Sequence, residues 1–199
     1  AAIAAAITTG LGLLLAYGAR SSRIRAMRAL VSFSALGYAI PGTVLAIGIM
    51  ITLTGLDRAL GNGAVFSGTL VALVFAYSVR FLALAHGTLE AGFGRITPNM
   101  DMAARSLGTT PSQTLFRVHI FLLRPPILAA LLLLFVDVMK ELPATLVLRP
   151  FDFDTLATLV YMRASMGQIE EAALPALMII LVGLVPVIIT LMLLDTQRR

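Results

Sequence analysis

No charged side chain interrupts the chain between Ala172 and Leu194, nor between Ala1 and Gly18. A bilayer hydrocarbon core takes about 20 consecutive apolar residues when it is crossed as a helix. Runs of this length therefore restrict the fold more than any other feature of the sequence. Three further runs stand at about Leu30–Leu56, Phe66–His86 and Pro125–Leu148. A membrane β-barrel would instead show alternating segments of about 10 residues, and the sequence has none. The composition agrees, with 59% hydrophobic and 13% charged residues and a mean hydropathy of +0.96. That leaves too little polar surface to coat a body in water. The expected fold class is an all-α integral membrane protein, a polytopic bundle of about five to six transmembrane helices.

The sequence places Pro41-Gly42 in the middle of the second run, predicting a kink or tilt there. Orientation follows from the basic residues of the short loops. Arg20, Arg23, Arg25, Arg28, Arg95, Arg105, Arg117, Arg124, Arg198 and Arg199 fall on one side, against Arg58, Arg149 and Arg163 on the other. The basic side reads as cytoplasmic, which starts the chain outside and ends it inside. The net charge of +5 is not gathered into a basic tract, so no nucleic-acid partner is expected. Cysteine is absent, which excludes disulfides and thiolate metal sites. With no tryptophan, any aromatic belt rests on Tyr and Phe.

The segment 87–124 is too long for a turn and reads as two short helices. Thr97-Pro98 supplies an N-cap type followed by proline at the first helical position. Met100, Ala103, Ala104 and Leu107 then recur at helical spacing, Asp101 and Arg105 form an i, i+4 pair, and Gly108 suits a left-handed stop. Thr110 and Gln113 have capping-box spacing, and Leu115, Val118 and Leu122 continue an apolar face. Two readings fit: a hairpin lying on the membrane, or a docking element for another protein.

The residues Met102-Ala103-Ala104-Arg105-Ser106-Leu107-Gly108, then Val118-His119-Ile120-Phe121, resemble the cytoplasmic signature of binding-protein-dependent ABC importer permeases. That signature reads Glu-Ala-Ala, three residues, Gly, nine residues, Ile-x-Leu-Pro. Ala103, Ala104 and Gly108 match; Met102 stands for the Glu and Phe121 for the Pro. Glu171-Ala172-Ala173 lacks the glycine, having Leu177 in its place. Tyr38–Thr43, Lys140–Pro150 and Asp152–Ala157 are similar to the ferric-iron uptake permeases, in particular to their C-terminal half. The resemblance implies a type I ABC importer permease fold over residues 1–199, as one half of a longer or fused permease. Residues 87–124 become its cytoplasmic coupling loop. Asp101, Met102, Ala103, Ala104, Arg105, Leu107 and Gly108 are then the ATPase-coupling candidates. The implied partners are a dimeric ABC ATPase subunit using ATP and Mg, a second permease half or subunit, and a periplasmic substrate-binding protein. The implied location is the bacterial inner membrane, with the C-terminus cytoplasmic. No cofactor is expected on this chain itself.

Asp137, Lys140 and Glu141 lie at i, i+3 and i+4 inside the fourth run, with Pro143 directly after. Charges within a membrane face a cavity or pair with one another. Three roles stay open for them: a neutralised packing pair, the lining of a translocation pathway, or ferric-ion coordination by Glu141. Arg80 is expected to snorkel to the cytoplasmic surface. The segment 149–171, with Asp154 or Thr155 as N-cap and Gly167 as stop, reads as an interfacial helix or a docking surface for the binding protein. His86 and His119 read as ordinary loop histidines.

The sequence has no Gly-x4-Gly-Lys-Ser/Thr loop to hydrolyse ATP, and no His-Glu-x-x-His or Gly-x-Ser-x-Gly pattern for a membrane enzyme. A secondary transporter would need no ATPase but would leave the capped cytoplasmic helices unexplained. The expectation is a permease importing ferric iron, or another small solute such as thiamine, a phosphonate or a polyamine.

Overall fold

The computed structural model describes residues 1–22, 25–61 and 65–196, with the backbone alone at residue 28 and residues 190–196. Arg23, Arg198 and Arg199, used above for orientation, lie outside the described residues. The elements are α1 (Ala2–Ser21), α2 (Arg25–Ala39), α3 (Gly42–Leu60), α4 (Leu70–Phe93), α5 (Pro98–Ser106), α6 (Pro111–Thr114), α7 (Ile120–Leu122), α8 (Arg124–Met139), α9 (Pro143–Leu148), α10 (Leu156–Ser165) and α11 (Ile169–Thr196). Among the described residues, α1, α3, α4 and α11 are each long and apolar enough to cross a membrane. A fifth crossing is counted if α8 is taken with the helical turns before it, to which it is bent by 79°.

α1 and α4 form the centre and run parallel. Thr8 donates to Ser78 near one end, and Arg20 reaches the Phe93 carbonyl at the other. Their backbones meet at Gly12, where a Cβ would fall 2.6 Å from that of Ala85. In lipid the solvent is as apolar as the side chains, so helices associate by close packing of small residues rather than by hydrophobic exclusion. The core fits that rule: Ala4, Ala5, Ala46, Ala76, Ala85 and Ala144 are buried, joined by Leu73, Tyr77, Phe81, Leu134 and Val138. A second cluster, Ala16, Leu89, Phe93, Ile96, Leu115, Leu123 and Ala130, closes the bundle at the end where α1 and α4 finish and α8 begins. Large apolar residues stay on the outside, among them Ile3, Phe33 and most of α11 from Leu174 to Ile188.

Three predicted spans differ from those observed. The second run is two helices, because proline at 41 has no N–H to continue α2 and α3 restarts at Gly42. The third extends past His86 to Phe93, because Leu89 and Phe93 are core residues packed between α1 and α8. The fourth breaks between Met139 and Pro143, so α8 and α9 are separate helices. The segment 149–171 follows its sequence: Thr155 and Thr158 form a reciprocal cap on α10, and Gly167 ends it with φ +76. Unforeseen was Asp57, which is buried and accepts from the amides of Val65, Phe66 and Ser67 and from the Ser67 hydroxyl. It pins the α3–α4 connection.

The Gly12 crossing gives a direct check. Gly12→Val should overpack the α1–α4 contact at a cost of about 1–3 kcal/mol, lowering the thermal midpoint of the detergent-solubilised protein by about 5 °C. Gly10→Val, on the same helix with no atom within 4 Å of its Cβ direction, should leave the midpoint unchanged in the same fluorimetric scan.

Candidate functional site

Two polar assemblies stand out, one under the 94–123 loop and one inside the bundle. The loop assembly is centred on Asp101. Its carboxylate accepts from Arg20 Nε at 3.1 Å and Arg20 Nη2 at 2.9 Å. His119 Nε2 lies 2.7 Å from the other carboxylate oxygen. Arg20 also donates to the carbonyls of Phe93 and Ile96, where α4 ends. The His119 ring is fully buried, set edge-on to Tyr17 and tilted against Phe93, each at 5.4 Å. The Tyr17 hydroxyl donates to the Pro111 carbonyl. One side chain of α1, Arg20, thus fastens the end of α4 and the middle of α5 together.

This geometry overturns several sequence expectations. Asp101 pairs across the fold with Arg20, not along its helix with Arg105, since the tertiary partner offers two hydrogen bonds in a half-buried site. His119 and His86 are buried core residues instead of loop histidines; His86 lies inside α4. Thr97 precedes α5 without a side-chain cap bond, whereas the Thr110–Gln113 capping box forms in both directions. The apolar face after it is Leu115, His119 and Leu123, not Leu115, Val118 and Leu122. A π-helical turn spans Leu115–His119 within this stretch.

Of the expected coupling residues, Ala104 alone is buried, and its carbonyl accepts from the Thr109 amide and hydroxyl. Gly108 takes φ +76 and turns the chain back. Met102, Ala103, Arg105 and Leu107 face outward, with Met102 58% and Leu107 83% exposed. Met100, Phe116 and Phe121 add exposed apolar surface to the same loop. α5 is therefore held from beneath and bare on top.

The second assembly joins both helix breaks. Arg80 stands near the middle of α4 and donates from Nε to Glu141 Oε2 at 3.1 Å, and from Nη1 to the Ile40 carbonyl at 3.1 Å. Glu141 is 7% exposed, and its other oxygen accepts from the Ala144 amide at the start of α9. Thr145 donates to the Glu141 carbonyl and meets the Tyr77 hydroxyl, one turn before Arg80 on α4. Gly42 fits only for want of a side chain, since a Cβ would lie 2.9 Å from Glu141 Oε1. The expectation that Arg80 snorkels to the surface is overturned: two acceptors within the fold are nearer than water.

Asp137, Lys140 and Glu141 do not share a face, because the helix ends at Met139 and turns Glu141 inward. Asp137 and Lys140 still pair with each other at 2.7 Å, with Lys140 61% exposed. Pro143 opens α9 as its first residue. Among the described residues no three His, Asp or Glu side chains come together in a metal-holding group.

The sequence profile of the binding-protein-dependent transport system inner membrane component family matches residues 8–199. The chain belongs to that family. Curated relatives agree with the assignment. A Fe(3+)-transport system permease protein of Haemophilus influenzae is 29% identical over 75% of this chain and 28% of its own length. A putative 2-aminoethylphosphonate transport system permease protein of Salmonella typhimurium is 31% identical over 75% of this chain and 53% of its own. A ferric transport system permease protein of Actinobacillus pleuropneumoniae is 26% identical over 84% of this chain and 24% of its own. The permease chain thus spans between about a quarter and a half of the relatives it matches.

Among solved structures it is similar to a bacterial alginate ABC transporter in complex with an alginate pentasaccharide-bound periplasmic protein. The TM-score is 0.71 at 16% identity, over 94% of this chain and 74% of that one. A second structure of an alginate-importing ABC transporter gives a TM-score of 0.69, also at 16% identity, over 100% of this chain and 78% of that one. The fold is the type I ABC importer permease fold, and the protein is a multi-pass component of the inner membrane.

Breaking the Arg20–Asp101 tie should free α5 of this permease without disturbing the spans. A charge-assisted hydrogen bond contributes about 1.5–3 kcal/mol, reduced here by partial exposure. Asp101→Asn should therefore speed tryptic cleavage after Arg105 by about fivefold to tenfold, with an unchanged midpoint of unfolding because Arg20 keeps its bonds to the Phe93 and Ile96 carbonyls.

Proposed function

We propose that this chain is the transmembrane permease portion of an ATP-driven importer. It receives its substrate from a periplasmic binding protein and passes it inward by alternating access. The observation that carries the reading is the loop helix α5, locked from beneath through Asp101 and Ala104 while Met102 and Leu107 stand exposed on a fold of this family. A rigid apolar knob of that kind fits a groove on a separate ATPase subunit, which would supply ATP and Mg. The loop then lies in the cytoplasm, as does the C-terminus, while the α10 segment meets the binding protein. The pathway is completed by a second permease half, either fused to this chain or separate, against the bare faces of the bundle.

The substrate reading is ferric iron. It rests on the Lys140–Ala157 resemblance and on the ferric permeases among the relatives. Asp137, Lys140, Glu141 and Pro143 mark the pathway in this reading, with hard carboxylate oxygen as the suitable donor. A second reading, 2-aminoethylphosphonate, is favoured by the pairing of each of these carboxylates with a cation and by the Salmonella relatives. A zwitterion suits such paired charges better than a bare trivalent ion does.

Uptake into proteoliposomes holding the permease, its ATPase and its binding protein tests both. ATP-dependent accumulation of ferric ion is expected; accumulation of the phosphonate alone would replace the substrate, and accumulation of neither would remove both readings. Leu107→Asp should abolish co-purification of the ATPase while the spans stay folded. Ala104→Asp should disorder the loop as well, because that side chain is buried in the permease itself. Normal co-purification of Leu107→Asp would count against α5 as the docking element.

A further inference from the structure

The Arg80–Glu141 assembly sits where two interrupted spans cross one continuous helix. Proline at 41 and the turn at Lys140–Leu142 each leave backbone groups outside the regular helical ladder. α4 reaches both interruptions from residues three apart on a single face, Tyr77 and Arg80. Arg80 donates to the freed Ile40 carbonyl before α3 and orients Glu141, which accepts from the Ala144 amide at the start of α9. Tyr77 engages Thr145 on α9. α3 also packs directly on α9 and on α4, and Gly42 lets its start approach the ion pair within contact distance.

About 20 Å further along α4, at ~1.5 Å per residue, its terminal carbonyls are gripped by Arg20, which also grips the loop helix at Asp101. α1 is pressed to α4 over this length by the Gly12–Ala85 contact. One rigid element thus carries the loop fastening at its end and the attachment of both broken spans at its middle.

We infer that Arg80, Tyr77, Glu141 and Thr145 form a positioning clamp that makes the starts of α3 and α9 move with α4 as one body through the transport cycle. Displacement of the loop helix then reaches the broken spans as a movement of α4. Glu141 acts by holding helices, and its role does not require it to touch the substrate. The inference rests on the importer reading above and adds the route by which ATP-driven movement reaches the middle of the membrane.

The test uses the reconstituted complex, with ferric ion and 2-aminoethylphosphonate as the two probes. Glu141→Gln removes the charge, Glu141→Asp shortens the reach by one methylene, and Arg80→Glu combined with Glu141→Arg reverses the pair. Uptake and ATP hydrolysis are measured together on complexes that retain their ATPase. For Glu141→Gln and Glu141→Asp, hydrolysis should continue while uptake per ATP falls about tenfold, within the usual range of coupling between sites. The reversed pair restores neutrality but neither backbone bond, to the Ile40 carbonyl or from the Ala144 amide, so it should recover little of the loss. If Glu141→Gln fails to assemble, Glu141→Asp decides by the same ratio. An unchanged ratio in assembled Glu141→Asp complexes would overturn the clamp.

A second readout needs no substrate, so it separates the clamp from the importer reading if the parent complex transports neither probe. The sequence has no cysteine, so spin labels can be placed at Val44 on α3 and Leu146 on α9 once any cysteines of the partner subunits are replaced. Their separation should be the same in nucleotide-free and vanadate-trapped complexes of the parent and should broaden in Glu141→Gln. A change in the parent by a helix turn, about 5 Å, would show that the two helices part during the cycle and would refute the one-body clamp.

Discussion

A helix broken inside a membrane leaves carbonyls and amides that lipid cannot satisfy, and each such group costs several kcal/mol unless the protein supplies a partner. The chain interrupts two apolar helical runs, at Pro41 and before Pro143, and places the interruptions against the same stretch of α4. The Arg80–Glu141 pair is the response to that constraint. An isolated guanidinium or carboxylate at this depth would be prohibitive, but together they neutralise each other and cap one broken end apiece. Removing either partner leaves a charge and a backbone group stranded together. The helix order around α4, with α3 and α9 packed on its N-terminal half and α1 alongside, follows from having to deliver both breaks to that pair.

The loop end shows the same economy with different chemistry. α5 has too few apolar residues facing inward to hold itself down, since Ala104 is the buried one. Its attachment is polar, an ion pair of Asp101 with Arg20 beside the His119 ring, and Arg20 also donates to the carbonyls of Phe93 and Ile96 at and just past the end of α4. That leaves the outward surface of α5 free of structural duty. Leu107 and Met102 can be exposed because nothing inside needs them, and an exposed apolar surface on a held helix is what a partner subunit can grip.

Much of this was legible in the sequence. The apolar runs at 1–18 and 172–194 gave their helices directly, because a segment of that length and hydropathy in lipid must satisfy its own backbone. Local chemistry also spoke clearly where it acts within one turn, as in the Thr110–Gln113 box, the Gly108 stop and the Thr155 cap. What could not be read were partners chosen across the fold. Asp101 had Arg105 at ideal helical spacing, yet Arg20, far away in the chain, is the residue it binds. Arg80 was long enough to reach the surface, and only the nearness of Ile40 and Glu141 keeps it inside. His119 and Leu123 escaped notice because Val118 and Leu122, one residue earlier, fit the same helical spacing with apolar side chains. The family motif located α5 correctly, but it did not tell that Ala104 faces inward while Leu107 faces out.

The central claim is that α4 physically links the loop helix to the broken spans. Hydrogen–deuterium exchange on the assembled complex, with and without vanadate-trapped nucleotide, tests it most directly. Trapping should change exchange in residues 98–108 and also in residues 139–146, and Arg20→Ala should abolish the second response while keeping the first. If residues 139–146 respond equally well in the Arg20→Ala complex, or never respond, movement does not travel along α4 and the account fails.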